Sequence, residues 1–435
     1  MPPVRAAEPD ALESVRAGRY GEAIALASAQ LAREPEWLAP RLVRALAYYR
    51  AGQPQAALAD LDHVLTRAAD EESARTLRAL VGLELGRYAE ALSDAQRALA
   101  APALPAENAG AARLVLARVL LARGEFAEAA ARAEEVVAFS DPTNARAAQL
   151  TLDLLRVVPP AGDMPSVQDG GDGFARFALG EWTVEFQRDD GVEPSVALSL
   201  ARLLEAQLAA VEAATGGGYH GPLRLVIYKS EWDLEQAVGG QYRGPGVSRA
   251  LRQGVRTAEG GWAQHLHIAL NDYELLWNLT HEAVHLAQAA AGLDDVFPQA
   301  IAWLIEGQAE YVAGEVLSVV APQSVAVRRQ QRARVVAQAA AEGRLLPLSA
   351  LERFSDWDRL GVGAADRAYG QAYYAAALFA QRFGPAAVFA LLHAQRAGVP
   401  TPAAFAVVTG GATLAGFDQA LREQFATWAA ADSGE

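Results

Sequence analysis

Cysteine is absent from the 435 residues of the chain, and histidine occurs only 7 times. The lack of cysteine excludes disulfides, thiolate nucleophiles and sulfur ligands for a metal ion. Any transition metal must therefore be held by histidine and carboxylate side chains. Because histidine is scarce, two histidines at ligand spacing carry more information here than in an average sequence.

Long apolar runs and positive charge are lacking as well. Uninterrupted apolar runs stay well below the roughly 18 residues that a membrane span requires. The first 20 residues contain no apolar core of the kind that a secretory signal needs. A formal charge of -14 disfavours nucleic acid and anionic lipid. We therefore expect a soluble, cytoplasmic protein that binds neither nucleic acid nor membrane and whose partners are peptides or proteins.

Similar segments recur through the first 150 residues. GRYGEA, GQPQAA, GRYAEA and GEFAEA begin at Gly18, Gly52, Gly86 and Gly124, which are 34, 34 and 38 residues apart. The glycine suits a tight turn between two helices, and the aromatic residue and alanine that follow it suit close helix packing. A fixed period of this size is typical of stacked helical units.

These segments resemble the tetratricopeptide repeat, whose Gly-x-aromatic-x-x-Ala core is matched in three of the four units; Pro54 replaces the aromatic residue in the second. The resemblance implies an N-terminal all-α helical solenoid over residues 8–157, with a groove that binds a protein partner or substrate. The alternative is that the units only stabilise the neighbouring domain. Residues 158–173 are rich in proline, glycine and aspartate, which predicts a linker.

From residue 174 onward the sequence predicts an α+β domain that extends to residue 435. Three short runs rich in branched and aromatic residues predict strands: WTVEFQ (182–187), LRLVIY (223–228) and HLHIAL (265–270). A helical pattern over residues 196–214 separates the first two. From Leu275 the pattern is almost entirely helical, with breaks at Gly292, Pro322, Gly361 and Gly398.

The segment LTHEAVHLAQ (279–288) places two histidines four residues apart, with a glutamate directly after the first. On a helix His281 and His285 share one face, so both imidazoles can point at one ion. Glu282 is rotated from His281 by about 100° and can instead reach a water molecule. Two ligands and one general base are the division of labour in H-E-x-x-H metallopeptidases.

A catalytic zinc also needs a third protein ligand and an open position. The segment WLIEGQAEY (303–311) lies on a second predicted helix after the loop GLDDVFP. Two antiparallel helices joined by this loop would bring Glu306 back beside the histidines.

In this sequence HEAVH is followed by W-L-x-E-G-x-A-E-Y, whose first glutamate, Glu306, comes 21 residues after His285. This combination resembles the gluzincin clan of zinc metallopeptidases, which contains thermolysin and the leukotriene-hydrolase-like aminopeptidases. The resemblance implies a thermolysin-like domain in which His281, His285 and Glu306 bind Zn2+ and Glu282 is the general base. It also implies that Glu310, one turn after Glu306, orients the first histidine. Glu310 as the ligand in place of Glu306 remains an alternative.

The gluzincin clan also uses a tyrosine or histidine to stabilise the oxyanion. AYGQAYYAAALFAQRFG (368–384) offers Tyr369, although the Lys-Gly that follows this tyrosine in the aminopeptidase branch is missing, and Tyr373 and Tyr374 are alternatives. No G-x-M-E-N segment precedes Leu275, which puts exopeptidase action in doubt.

HLHIAL is a candidate for an edge strand that pairs with an extended substrate backbone. On it, His265 and His267 share one face, which either touches substrate or is simply solvated. VGGQYRGPGVSR (238–249) is interpreted as a rim over the cleft or as a plain loop. The remaining sites are interpreted as structural or surface residues: His63, His220, His393 and the arginine-rich VRRQQRARVV (327–336), read as the solvent side of a helix.

The leading hypothesis is a zinc-dependent peptidase whose repeats dock a partner or substrate. A protein-interaction scaffold with a structural or vestigial zinc site is the main alternative. A metallohydrolase that acts on something other than a peptide is a third.

Overall fold

The structure is a computed structural model that describes residues 9–102, 104–188, 192–230, 233–234, 237, 254–256, 262–267, 272–296, 299–357, 359–360 and 362–433. Within these residues the chain is mostly helical and contains one small mixed sheet. Helices occupy both ends of the sequence, and the sheet is built from the middle.

The N-terminal region consists of consecutive helices that pack against their neighbours in sequence. They are α1 (Pro9–Arg16), α2 (Tyr20–Arg33), α3 (Leu38–Arg50), α4 (Pro54–Arg67), α5 (Glu72–Glu84), α6 (Tyr88–Leu99), α7 (Ala106–Ala122), α8 (Phe126–Phe139) and α9 (Pro142–Val157). The predicted turns are confirmed, because a glycine with φ between 67° and 75° joins the two helices of each of the first four pairs: Gly18, Gly52, Gly86 and Gly124.

The repeat is visible in the ion pairs between helices as well as in the turns. Nε of Arg44 on α3 lies 2.7 Å from Oδ2 of Asp60 on α4. The same pair recurs 34 residues later, where Nε of Arg78 on α5 lies 2.7 Å from Oδ2 of Asp94 on α6. Both aspartates are buried. A buried carboxylate needs such a partner, so equivalent helices are held in equivalent positions.

The sheet has the strand order β1-β2-β3-β4-β6-β5. Its strands are β1 (Gln168–Asp169), β2 (Phe174–Leu179), β3 (Trp182–Gln187), β4 (Leu223–Tyr228), β5 (Gly254–Arg256) and β6 (Trp262–His267). β3, β4 and β6 run parallel, and the flanking pairs β1–β2, β2–β3 and β5–β6 are antiparallel. Helix α10 (Pro194–Thr215) connects β3 to β4.

Two of the predicted strands are confirmed at their bounds, and the third is corrected. β3 and β4 coincide with the predicted runs, whereas β6 begins three residues before HLHIAL and residues 268–270 lie outside the described part of the chain. β6 is not the edge of the sheet over Trp262–Gln264, because β5 pairs with these residues on the side away from β4. That pairing does not extend to His265, so the edge position of HLHIAL stays a prediction. The segment predicted as a linker also contributes β1, which pairs with β2.

The C-terminal region is helical. Its helices are α11 (Asp272–Ala290), α12 (Leu293–Val296), α13 (Ala302–Leu317), α14 (Pro322–Ala341), α15 (Phe354–Trp357), α16 (Val362–Phe383), α17 (Ala387–Arg396), α18 (Thr401–Val408) and α19 (Leu414–Ser433), with a 3-10 turn at Leu348–Leu351. The predicted breaks at Gly292, Pro322 and Gly398 are confirmed, and Gly361 lies outside the described residues.

Among the helices that the structure describes, none alone is long and apolar enough to cross a membrane. One pair, Ala364–Phe383 and Ala387–Arg396, reaches that length and composition only when its two members are combined, and they meet at 91°.

One hydrophobic core continues from α5–α9 through the sheet and into the C-terminal helices. Two polar contacts join the same regions. The hydroxyl of Tyr88 donates to the backbone oxygen of Lys229 at 2.7 Å. Oδ2 of Asp153 on α9 accepts from the backbone N–H of Ser324 at 2.9 Å and from its hydroxyl at 3.1 Å. Asp153 thereby satisfies an unpaired N–H in the first turn of α14, where Ala321 at the N-cap has no side chain able to do so.

Replacing Asp153 tests this helix-capping contact. Asp153→Ala leaves a buried N–H and a buried hydroxyl without their acceptor, so the free energy of unfolding should fall by about 1–3 kcal/mol. Urea denaturation measures the change. Asp70→Ala, at an exposed position, is the matched control and should stay within about 0.5 kcal/mol of the wild type. Equal stability of the two variants would contradict the capping role.

Candidate metal centre

Three helices of the C-terminal region direct ionisable side chains at one buried point. α11 and α13 pack against each other, with the fully buried Trp277 and Trp303 in the shared core. The predicted return of the second helix is therefore observed: α13 lies beside the histidines of α11 after a short connection. The ionisable residues are His281, Glu282 and His285 on α11, Glu306 and Glu310 on α13, and Arg328 and Arg332 on α14.

The two histidines and Glu306 form a compact triangle of donor atoms. Nε2 of His281 lies 3.0 Å from Nε2 of His285, and Oε2 of Glu306 lies 3.6 Å from each nitrogen. Within the described residues these three side chains form a group that could hold a metal ion. Glu310 does not belong to this group, so the placement favours Glu306 over Glu310 as the carboxylate ligand.

The triangle fits a tetrahedral metal ion. With ligand distances of about 2.0–2.2 Å, tetrahedral coordination separates neighbouring donor atoms by roughly 3.3–3.6 Å. The two observed separations of 3.6 Å reach the upper end of that range, and the separation of 3.0 Å between the two nitrogens lies slightly below it. Two imidazoles and one carboxylate are also a donor set that borderline transition metals prefer.

The second ring nitrogen of each histidine faces a different group: that of His281 is in ion-pair contact with a carboxylate without a hydrogen bond, and that of His285 is hydrogen-bonded to an amide. Nδ1 of His281 lies 3.5 Å from Oε1 of Glu310, which is the placement that the sequence predicted for this glutamate. Nδ1 of His285 lies 2.7 Å from Oε1 of Gln288. Gln288 is itself fixed, because its amide donates to the backbone oxygen of Ile305 at 3.0 Å and to Oε1 of Gln308 at 2.8 Å. Such partners orient imidazole ligands and select their tautomer.

Gln288 and Gln308 are site residues that were not predicted from the sequence. A signal for Gln288 was present, since it follows His285 by three residues and therefore shares its face of α11. Gln308 follows Glu306 by only two residues, and a spacing of two predicts no shared face. Its contact with Gln288 depends on how α11 and α13 pack, which the sequence does not show.

The interpretation of the arginine-rich segment as the solvent side of a helix holds for Arg334, which is exposed, and is wrong for two other arginines. Arg328 and Arg332 do not face solvent: they are 8% and 4% exposed and bind Glu310. The structural reason is the phase of α14, whose buried stripe includes Val325, Ala333 and Val336 and carries both arginines with it. The overall negative charge of the chain suggested a solvated face, whereas the helical spacing places these two side chains in the core.

The charges of the cluster shift the pKa values of its members. Burial lowers the pKa of His281, but the carboxylates of Glu306 and Glu310 outweigh burial and raise it to about 10. Burial also lowers the pKa of His285, and Glu306 reverses that effect, so this pKa is raised too. Burial raises the pKa of Glu306, yet the two histidines hold it well below its usual range. The cluster therefore keeps negative charge beside the imidazoles, which favours a bound cation.

Glu282 is buried but has no place in the donor triangle. Burial raises the pKa of its carboxyl group; His285 and His281 oppose the shift, and Glu306 reinforces it. A carboxylate whose pKa is moved toward neutrality is a better proton acceptor at physiological pH than an ordinary glutamate. Its position on α11 agrees with the predicted division between ligands and base.

Among the three candidate tyrosines, Tyr369 lies in the electrostatic field of the cluster. Burial raises its pKa well above the usual range, and the carboxylates of Glu306, Glu310 and Glu282 add to the shift. The hydroxyl of Tyr373 instead accepts a hydrogen bond from Nε of Arg329 at 3.1 Å. The ring of Tyr374 packs edge-on against Phe425.

A close helix crossing brings Tyr369 and Glu306 into the same neighbourhood. α13 meets α16 at Gly307, where a Cβ atom would lie 2.2 Å from the backbone oxygen of Ala372. Only glycine allows this approach. In WLIEGQAEY, Glu306 thus supplies a donor atom of the cluster, and the adjacent Gly307 leaves the space that α16 needs.

The other predicted site residues lie elsewhere or outside the described part of the structure. His265 and His267 lie on β6, of which only the backbone is described, and residues 238–249 are not described. His393 is exposed. Nε2 of His220 lies 3.2 Å from Oε1 of Glu212, and Nδ1 of His63 lies 3.3 Å from Nη1 of Arg67. These last three positions agree with the prediction of surface or structural histidines.

Comparisons with known proteins add no family to this description. No protein-family model matches the chain, and no curated protein matches it. The arguments about function therefore rest on the residues and their geometry.

Gly307→Ala tests the helix crossing. The added methyl group collides with the backbone oxygen of Ala372, so α16 must shift and the free energy of unfolding should fall by about 1–3 kcal/mol. Gly21→Ala is the matched control, because that helical glycine has open space around it and should gain about 0.5–1 kcal/mol. Thermal unfolding of both variants measures the difference, and a neutral Gly307→Ala would contradict the close crossing.

The raised pKa values predict how metal affinity depends on pH. Because the pKa of His281 is about 10 without metal, the cluster carries a proton at neutral pH that a metal ion must displace. Apparent affinity should therefore rise between pH 6 and 8, by about tenfold per pH unit for each proton displaced. Isothermal titration with Zn2+ or Co2+ in several buffers measures affinity and proton release together. A flat pH profile would show that the ion binds elsewhere.

Proposed function

We propose that the chain is a zinc-dependent peptidase with a thermolysin-like, gluzincin-type C-terminal domain. The observation that carries this proposal is the convergence of His281, His285 and Glu306 within 3.0–3.6 Å of one another, with buried Glu282 adjacent but outside the triangle. Three ligands and a separate carboxylate are the parts that metal-assisted hydrolysis requires.

Each residue of the cluster has a definite task in this proposal. His281, His285 and Glu306 hold the ion, which when bound supplies a Lewis acid that polarises a peptide carbonyl and acidifies water. Glu282 takes a proton from the attacking water on its carboxylate and passes it to the leaving amine. Tyr369 donates a hydrogen bond from its hydroxyl to the oxyanion of the tetrahedral intermediate.

The number of ligands supports a catalytic site over a structural one. Structural zinc sites are closed by four protein ligands, whereas catalytic sites keep one position open. The donor group found among the described residues has three members. A structural site would also have no use for a buried carboxylate beside the ligands that is not itself a ligand.

The N-terminal helices are assigned, in the same proposal, to a tetratricopeptide-like solenoid that docks a protein partner or substrate. The support is the recurrence of the turn glycines at spacings of 34, 34 and 38 residues and of the Arg–Asp pairs at a spacing of 34 residues. Repeats of this kind expose an extended surface that suits peptides.

Two substitutions separate metal binding from catalysis. Glu306→Gln removes a ligand, and zinc affinity should fall by about 100-fold or more. Glu282→Gln removes only the base, so zinc content should persist while kcat on a fluorescence-quenched peptide library falls by about 100- to 10,000-fold. Zinc is measured by elemental analysis after purification without chelator.

Glu205→Gln, on the exposed face of α10, is the matched control and should leave zinc and kcat unchanged. Unchanged kcat in Glu282→Gln would remove this residue from the mechanism. A wild-type protein that binds zinc but cleaves no peptide in the library would contradict the peptidase and leave the metal site standing.

A further inference from the structure

Two buried arginines bind the carboxylate of Glu310, which lies beside His281. Nη2 of Arg328 donates to Oε1 of Glu310 at 3.0 Å. Arg332 donates to Oε2 of Glu310 from Nη2 at 3.2 Å and from Nε at 3.3 Å. Glu310 is itself 2% exposed, so the whole contact is removed from solvent. Both oxygens of the carboxylate are occupied.

Each oxygen of the Glu310 carboxylate has its own arginine, Oε1 with Arg328 and Oε2 with Arg332. Oδ1 of Asp366 also lies 4.0 Å from Nη1 of Arg332. Burying a guanidinium group is costly unless its partners are well placed. Each arginine stacks on an aromatic ring as well: Arg328 lies 5.5 Å from the ring of Trp277, and Arg332 lies 5.3 Å from the ring of Tyr369. The two guanidinium groups are thus held in place themselves, which indicates a geometric role toward Glu310.

The fixed position of Glu310 bears on the orientation of the His281 ring. Its Nδ1 faces Glu310 at 3.5 Å, and its Nε2 faces Glu306 at 3.6 Å. A carboxylate that cannot rotate offers a fixed acceptor to an Nδ1–H, which leaves the Nε2 lone pair directed at the ion. Glutamate has three rotatable side-chain bonds, so without the arginines this acceptor would have no fixed place.

We infer that Arg328 and Arg332 are positioning residues, which lock Glu310 behind His281 and thereby set the nitrogen that this histidine presents to the metal. This inference rests on the proposed function in one respect: it takes from it that the site binds zinc. It does not depend on cleavage of peptides. A merely structural pair would stabilise the fold without any influence on metal affinity.

A double-mutant cycle tests whether the arginine acts through the glutamate. The four proteins are the wild type, Arg332→Met, Glu310→Gln and the double variant, each titrated with Zn2+ against a competing chelator. Arg332→Met should weaken zinc binding by about 10- to 100-fold, the range found when an outer partner of a ligand is lost. In the Glu310→Gln background the same substitution should change the affinity by less than about 2-fold, because there is no carboxylate left to position.

Two further measurements keep the result interpretable. Arg332→Lys retains the positive charge but loses the fork of donors, so it should recover the fold and only part of the zinc affinity. Arg334→Met, exposed on the same helix, should bind zinc like the wild type. With Co2+ in place of Zn2+, the visible absorption of Arg332→Met should differ from that of the wild type, since an altered His281 changes the ligand field.

The outcomes separate this inference from the proposed peptidase. If the losses caused by Arg332→Met and Glu310→Gln multiply in the double variant, the arginine does not act through Glu310 and the inference is overturned. Equal zinc affinity in all four proteins would also overturn it, whether or not peptides are cleaved. Failure to cleave peptides would overturn the peptidase and not the role of the arginines, because the readout here is zinc affinity.

Discussion

An alternation of opposite charges, built from three pairs of side chains, is the interaction on which the rest of the structure depends. α11 supplies His281 and His285, α13 supplies Glu306 and Glu310, and α14 supplies Arg328 and Arg332. The members of each pair are four residues apart and so share a helix face. Because buried charges are tolerated only when each has a partner, three helices must keep their relative positions for any one pair to remain in place.

The position of each histidine relative to these pairs also explains why the two histidines differ. His281 is almost fully buried and is supported by an ionised carboxylate, whereas His285 is more exposed and is supported by the neutral amide of Gln288. A carboxylate partner makes the imidazole a stronger donor than an amide partner does. The cluster therefore combines one imidazole that faces a carboxylate with one that is held by a chain of amides.

Much of the architecture could be predicted from the sequence, because it depends on local patterns. The turn glycines, the strands β3 and β4, and the pairing of His281 with His285 each follow from spacing within one element. The contacts that could not be predicted are those between elements. The burial of Arg328 depends on how α14 is rotated against α13, and the net charge of the chain pointed the other way. The position of β6 inside the sheet depends on β5, a strand of only three residues that is too short to give a pattern of its own.

The N-terminal helices and the candidate site are mechanically connected. Asp153 on α9 caps the first turn of α14, and one turn further along α14 comes Arg328. The line from the repeated helices to the candidate metal centre therefore runs through Asp153, α14, Glu310 and His281. A region that only docked a partner would have no need of this capping contact, and one that only stabilised its neighbour would have no need of regular repeats. The two roles considered for these helices are compatible, since α5–α9 share the core cluster of the site while α1–α4 lie outside it.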